Sequence, residues 1–291
     1  MLMTGLALAS SAVAGLGPVP GKGLGTSHGL RYVVGTYGNV QPGGIPVETP
    51  CAEAHAAVGG GVDVTGSPKT SRFSSSLPED DSGDVGFDPD DFWLAEVQNL
   101  VSQVKTIRVY AVCRKAGLDG LTYVFSPAHN VEPNSVENVS VHCPTGTRAV
   151  SGGVGHTSGT VTQSSPFDAL ADENKRPDDG WRIRAYNDDV VDSHMLGAVA
   201  VCLDAGQEKV RYRSNGINVG TGKARTFHAN CPKRMSVIGG GLYIRGAPGS
   251  GFAHSSLPRD SAADRNSIPD DRWAVTVIGG ASAKAYAICV R

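Results

Sequence analysis

Aromatic residues make up only 6% of this 291-residue chain, with three tryptophans, so each tryptophan must serve a large share of whatever core it enters. No Cys-x-x-Cys pair and no Cys/His group at zinc-ligand spacing occurs, which removes the small structural zinc modules. No long basic run is present, and the formal net charge is −2 with a pI near 6.4. Whole-chain charge therefore gives no nucleic-acid footprint. After the first residues no apolar stretch of about 18 residues follows, so no helical membrane span is expected. Sustained helical periodicity is also missing, while 38 glycines and 17 prolines punctuate the chain, as many short strands and tight turns require.

What is present is stated three times. Cys51, Cys143 and Cys231 stand 92 and 88 residues apart, and Cys113, Cys202 and Cys289 keep nearly the same period. Trp93, Trp181 and Trp273 each close a Pro-Asp-Asp-x-Trp phrase. A period near 90 residues is too long for a solenoid rung and suits a small module. Three units follow, at 31–114, 122–203 and 210–291, each opened by a tyrosine (Tyr32, Tyr123, Tyr212). The linkers Cys113 to Tyr123 and Cys202 to Tyr212 have equal length, so neighbours are related by one transformation, giving a pseudo-threefold cluster if it closes or a short row if it does not.

Of fifteen possible pairings of six cysteines, the repeat selects Cys51–Cys113, Cys143–Cys202 and Cys231–Cys289. Paired cysteines imply an oxidising compartment. Residues 1–14, MLMTGLALASSAVA, form a short apolar run ending in Ala-Val-Ala, a signal-peptide-like segment. Residues 15–30 are rich in glycine and read as a flexible leader. The expected location is secreted, extracellular.

Strand patterns fill the units. Trp181, Ile183 and Ala185 alternate with Arg182 and Arg184, and the same period of two recurs after Trp93 and Trp273. Closing strands are expected from Ile107 to Cys113, from Met195 to Cys202 and from Lys284 to Cys289. The fold class is therefore all-β, with sandwich-like units each stapled by one disulfide and anchored by a buried tryptophan. Eight to ten residues after the first cysteine stand Gly59-Gly60-Gly61, Ser151-Gly152-Gly153 and Gly239-Gly240-Gly241, which inside a strand mark a bulge or a close backbone approach.

The order Cys-Pro, Gly-Gly, Ser-x-Pro, Trp, Tyr-Ala-Val-Cys resembles triple-repeat units of secreted bacterial proteins of the actinomycete type, most of them without an assigned role. The resemblance spans 31–291, with Ala52 standing where the other units have Pro144 and Pro232.

Chemistry, if there is any, is expected in the acidic loop before each tryptophan. Its repeated aspartates are Asp80, Asp84, Asp90 and Asp91, then Asp168, Asp172, Asp178 and Asp179, then Asp260, Asp264, Asp270 and Asp271. Three readings compete. Paired-carboxylate catalysis of the glycosidase kind is the least favoured, because three identical catalytic centres in one chain would be odd and no general acid stands out. Otherwise the carboxylates accept backbone N–H groups in tight turns, or they hold Ca²⁺, which takes six to eight oxygens. The absence of a shared glycine among them favours the turn. No cofactor is otherwise called for. Histidines fall at different places in the three units, so no Ser/His/Asp set can be built from repeated positions, and His156 and His254 read as surface residues. The chain is expected to be non-enzymatic and to bind a cell-surface or envelope polysaccharide. A structural envelope protein without a specific ligand is the alternative, and an enzyme with a site in one diverged unit comes third.

Overall fold

The computed structural model describes residues 21–40, 43–80, 91–101, 105–115, 120–156, 158–169, 176–206, 209–261 and 266–291. The signal-peptide-like segment, the start of the leader, and Asp84, Asp90, Asp172 and Asp264 lie outside the described residues.

The fold is all-β. In the first segment the strands are β1 (Lys22–Ser27), β2 (Leu30–Val40), β3 (Gly43–Pro50), β4 (His55–Val64), β5 (Ser71–Glu79), β6 (Phe92–Asn99) and β7 (Lys105–Lys115), with a 3₁₀ turn at Pro68–Thr70. The second holds β8 (Leu121–Phe125), β9 (His129–Val131), β10 (Val136–His142), β11 (Thr147–His156), β12 (Thr160–Phe167), β13 (Gly180–Tyr186) and β14 (His194–Asp204). The third holds β15 (Arg211–Asn218), β16 (Ala224–Asn230), β17 (Ser236–Arg245), β18 (Gly251–Arg259), β19 (Arg272–Gly279) and β20 (Ser282–Val290).

The strands form three sheets, and each sheet is shared between two segments. Their orders are β1-β2-β7-β4-β18-β19-β16, β3-β6-β5-β11-β14-β8 with β9 added on β14, and β10-β13-β12-β17-β20-β15. Each segment therefore gives one three-stranded layer to one sheet and a second layer to the next. The joins are β5 to β11, β12 to β17 and β18 to β4, and the last of these returns the third segment to the first. The chain closes into a ring of three two-layered sandwiches, which is the cluster rather than the row.

Close backbone approach is what the glycine clusters provide. A Cβ on Gly60, Gly152 or Gly240 would stand 2.4, 2.4 or 2.3 Å from the indole of Trp93, Trp181 or Trp273. On Gly61, Gly153 or Gly241 it would stand 2.1, 2.4 or 2.1 Å from the carbonyl of Ser256, Ser76 or Ser164 in the adjoining segment. Each glycine strand also carries a register shift, at Ala57/Gly59, Ala149/Ser151 and Val237/Gly239. The shift skips Val58, Val150 and Ile238, all three of which are buried in the core. Strands β4, β11 and β17 touch one another pairwise at the centre of the ring. There a Cβ on Gly59 would come within 2.0 Å of the Ile238 carbonyl, and one on Gly239 within 2.5 Å of the Val150 carbonyl. Ser151, the departure from glycine in the second segment, occupies the one central position that tolerates a side chain.

The leader needs correction. Residues 22–27 do not hang free but pair with β2 as the edge strand β1. Gly25, read as part of a flexible stretch, is held close by a neighbour: with φ at +136°, a Cβ there would meet Ile268 at 2.7 Å. Beyond the strand, Ser27 Oγ lies 2.6 Å from Ser236 Oγ, which ties the leader to the third segment.

Candidate functional site

The most regular polar geometry lies where each disulfide meets the acidic loop. The pairs are Cys51–Cys113, Cys143–Cys202 and Cys231–Cys289, with Cα–Cα distances of 5.8, 5.7 and 5.7 Å. In every pair one cysteine sits at the end of an outer strand of one sheet and the other within a strand of the next, so the bond closes a corner between two sheets. Beside it the backbone N–H of the first cysteine donates to the carbonyl of the second aspartate: Cys51 to Asp91, Cys143 to Asp179 and Cys231 to Asp271, each at 2.8 Å. The carbonyl of the first aspartate accepts from the glycine strand, Asp178 from Ala149 at 2.8 Å and Asp270 from Val237 at 2.7 Å.

The carboxylates are turned to local donors as well. Asp179 Oδ2 accepts from the Ala169 N–H at 2.5 Å. Asp271 Oδ2 accepts from the N–H and hydroxyl of Ser261, at 2.9 and 2.5 Å. Asp270 Oδ2 accepts from the Ser236 hydroxyl at 3.0 Å, and the Asp260 carbonyl accepts two bonds from Arg272, at 3.0 and 2.6 Å. Asp80, Asp168 and Asp260 occupy corresponding, partly buried places at the end of the Ser-x-Pro strands. Among the described residues no three of the His, Cys, Asp and Glu side chains gather closely enough to hold a metal ion. This is the arrangement of a hydrogen-bonded turn that clamps two strands at a corner.

The tryptophans are buried, at 1%, 0% and 1% exposure. Each indole N–H donates to the serine of Ser-x-Pro: Trp93 to Ser76 at 2.9 Å, Trp181 to Ser164 at 2.9 Å and Trp273 to Ser256 at 2.8 Å. That serine therefore serves the core, since a buried indole needs an acceptor. The opening tyrosines bind the ring together. Tyr123 donates to the Ala57 carbonyl at 3.0 Å, Tyr212 to Ala149 at 2.7 Å and Tyr32 to Val237 at 2.7 Å, always into the preceding segment around the ring. Burial holds the Tyr32 and Tyr212 hydroxyls well above the ordinary phenol range, so they remain protonated donors.

One polar cluster breaks the threefold pattern, at the join of β5 and β11. Arg72 binds both oxygens of Asp188, at 2.6 and 3.0 Å, and reaches Gln98 at 2.7 Å and Thr160 at 2.5 Å. Next to it His156 is 2% exposed, its ring centroid 5.8 Å from that of His194. Burial first, then His194 and Arg72, push the His156 imidazole down to about 3. His254 is likewise buried, at 3%, with ring nitrogens 3.0 Å from the carbonyls of Ser71 on β5 and Val64 on β4 in the first segment. Both histidines correct the surface assignment. The signal was available at His156, because the matching positions are Val64 and Ile244, both core residues.

On the sheet of β5 and β11, β6 carries Glu96, which burial pushes up to about 7, while hydroxyls of Ser74 and Ser75 pull the other way. At the β12–β17 join Thr162, Arg184, Tyr186 and Ile244 line a shallow cleft with room for about one water. No helix among the described residues is long and apolar enough to cross a membrane. Neither a protein-family model nor a curated protein sequence matches this chain.

Proposed function

We propose that this is a secreted, non-enzymatic binding protein that acts at or outside the cell surface on an envelope polysaccharide. The observation that carries the proposal is the closed ring itself. Three sandwiches of one design, each with a disulfide at its corner, repeat the same strand edges around one closed body. A repetitive polymer meets such a body at more than one place, so weak contacts add through effective concentration. The disulfides suit an oxidising setting, and the resemblance to secreted bacterial repeat proteins supports the same compartment. Among the described residues Asp91, Asp178, Asp179, Asp270 and Asp271 hold donors at the corners, which leaves recognition to the exposed strand faces and edges.

A glycan array combined with a pull-down on cell-wall polymers tests the proposal. Retention on at least one polysaccharide class, weakened when reduction releases the three disulfide-closed corners, is the expected result. Absence of binding to every glycan and wall polymer would overturn it in favour of a purely structural envelope role.

A further inference from the structure

Whole-chain charge conceals a segregation. Residues 210–291 carry twelve Lys and Arg against four Asp, a net +8. Residues 31–114 carry six against eleven, and residues 122–203 five against ten, a net −5 in each case. The third copy of the fold thus differs from each of the other two by thirteen charges, and the ring holds the basic copy against two acidic ones.

The basic charge has a definite place. Strand β15 is the free edge of one sheet and β16 the free edge of another. The two edges lie side by side, with Asn215 Nδ2 donating to the His228 carbonyl at 2.9 Å. Arg211 and Arg213 stand two residues apart on β15, hence on one side of it, and Arg225 stands on β16 just after Lys223. Arg211 is in register with Cys289, whose disulfide to Cys231 brings Lys233 and Arg234 to the same end. All six side chains are exposed, and none has an ion-pair partner among the described residues. At the matching places the other segments have Val33 and Val124 for Arg213, and Ile45 and Glu137 for Arg225. The fold does not demand cations at these two places, since it forms twice without them, while Arg211 is matched by Arg31 in the first segment and by Thr122 in the second.

We infer that the adjacent β15 and β16 edges of the third segment, with Arg211, Arg213, Lys233 and Arg234 toward the disulfide and Lys223 and Arg225 toward the other end, bind an anionic polysaccharide chain, deepening the polysaccharide reading on which it rests. Four of the six cations are arginines, whose planar fork takes a carboxylate, sulfate or phosphate group through two parallel hydrogen bonds. Paired edges present an extended row of such forks to an extended polymer. Single-stranded nucleic acid would call for aromatic platforms. Here Phe227 is buried and the Tyr212 hydroxyl is committed to Ala149.

The test uses the full chain with Arg211→Gln, Arg213→Gln and Arg225→Gln together, and Lys69→Gln with Lys115→Gln on the first segment as control. The probes are polygalacturonate, dextran sulfate, neutral dextran and duplex DNA, each at low and physiological salt. The triple variant should keep its melting temperature and lose about tenfold in affinity for the anionic polysaccharides, while the control keeps wild-type affinity. Polygalacturonate against dextran sulfate tells carboxylate from sulfate selection. Salt should weaken wild-type binding as exposed charge pairs are screened. Equal or tighter binding of duplex DNA would overturn the assignment to polysaccharide. If the triple variant binds acidic glycans as well as wild type but self-associates, the arginines protect the strand edges and the inference fails. Should wild type bind only neutral glycans, the inference fails while the polysaccharide-binding proposal stands.

Discussion

Trp273 lies so close over Gly240 that a Cβ on that glycine would stand 2.3 Å from the indole and 2.5 Å from the Tyr286 carbonyl. The same relation holds for Trp93 on Gly60 and Trp181 on Gly152. Neither backbone carbonyl nor buried ring can retreat, so Gly240→Ala should cost about 3 kcal/mol, the upper range for overpacking. Gly197 provides the control: it has nothing within 4 Å and an ordinary φ. Gly197→Ala should leave the melting temperature unchanged or raise it slightly. Equal effects of the two substitutions would refute the packing account of the glycine clusters.

The acidic loops make a second prediction. Because the carboxylates of Asp179 and Asp271 accept backbone N–H groups, Asp179→Ala or Asp271→Ala should each cost about 0.5–2 kcal/mol, by analogy with a lost capping side chain. Millimolar Ca²⁺ added to chelator-treated protein should leave the melting curve where it was. An upward shift that grows with Ca²⁺ concentration would mean the native state binds the ion.

Much of this corner was legible in the sequence because its chemistry is repeated three times. Trp, Cys, Gly and the Ser of Ser-x-Pro recur where they touch one another, and the disulfide pairs selected by the period are the pairs in the structure. The joins between segments were not legible. They rest on backbone pairing such as Val154 with Ser76 and Ser256 with Val62, and the glycines beside them, Gly153 and Gly61, signal a close approach without naming the strand that approaches. Burial of His156 depends on Arg72 from another segment and on Gly159, where a Cβ would lie 2.5 Å from the ring. The same holds for the leader, whose glycines read as freedom until Ile268 is brought against Gly25. Summing charge over the chain also cancelled the difference between the third segment and its neighbours.

Proton linkage gives a third prediction. Folding holds His156 down to about 3, below its unfolded value near 6.5, so the folded state prefers the neutral ring. Its contribution is complete above about pH 6.5 and is lost as pH falls toward 3. Glu96 has the opposite sign. Raised to about 7 from an unfolded value near 4.3, its contribution is complete at low pH and is lost as pH rises through 7. His156→Val, matching Val64, should therefore gain on the order of 2 kcal/mol relative to wild type near pH 4.5, with a smaller effect near pH 7.5. Glu96→Gln should flatten the neutral side. Melting temperatures across this range decide it, and parallel curves for wild type and His156→Val would contradict the assignment.

The disulfides supply a fourth. Non-reducing peptide mapping should return only the three pairs within segments. Cys202→Ala, with Cys143→Ala to avoid a free thiol, opens a separation of 59 residues and should cost roughly 4 kcal/mol in the chain-entropy account. A bridge between segments would contradict the assignment of the corners.

The central claim is the closed ring, and scanning calorimetry of the disulfide-intact chain tests it most directly. Sheets shared by neighbouring segments, and a third segment paired back onto the first through Ser256 and Val62, leave no sandwich able to melt alone. One cooperative transition is predicted, with equal calorimetric and van't Hoff enthalpies. Tyr32→Phe, which removes the closing bond to Val237, should lower that single transition without splitting it. Two or three separable transitions in the wild-type protein, each with the enthalpy of a module of about 85 residues, would show independent units in a row and contradict the ring.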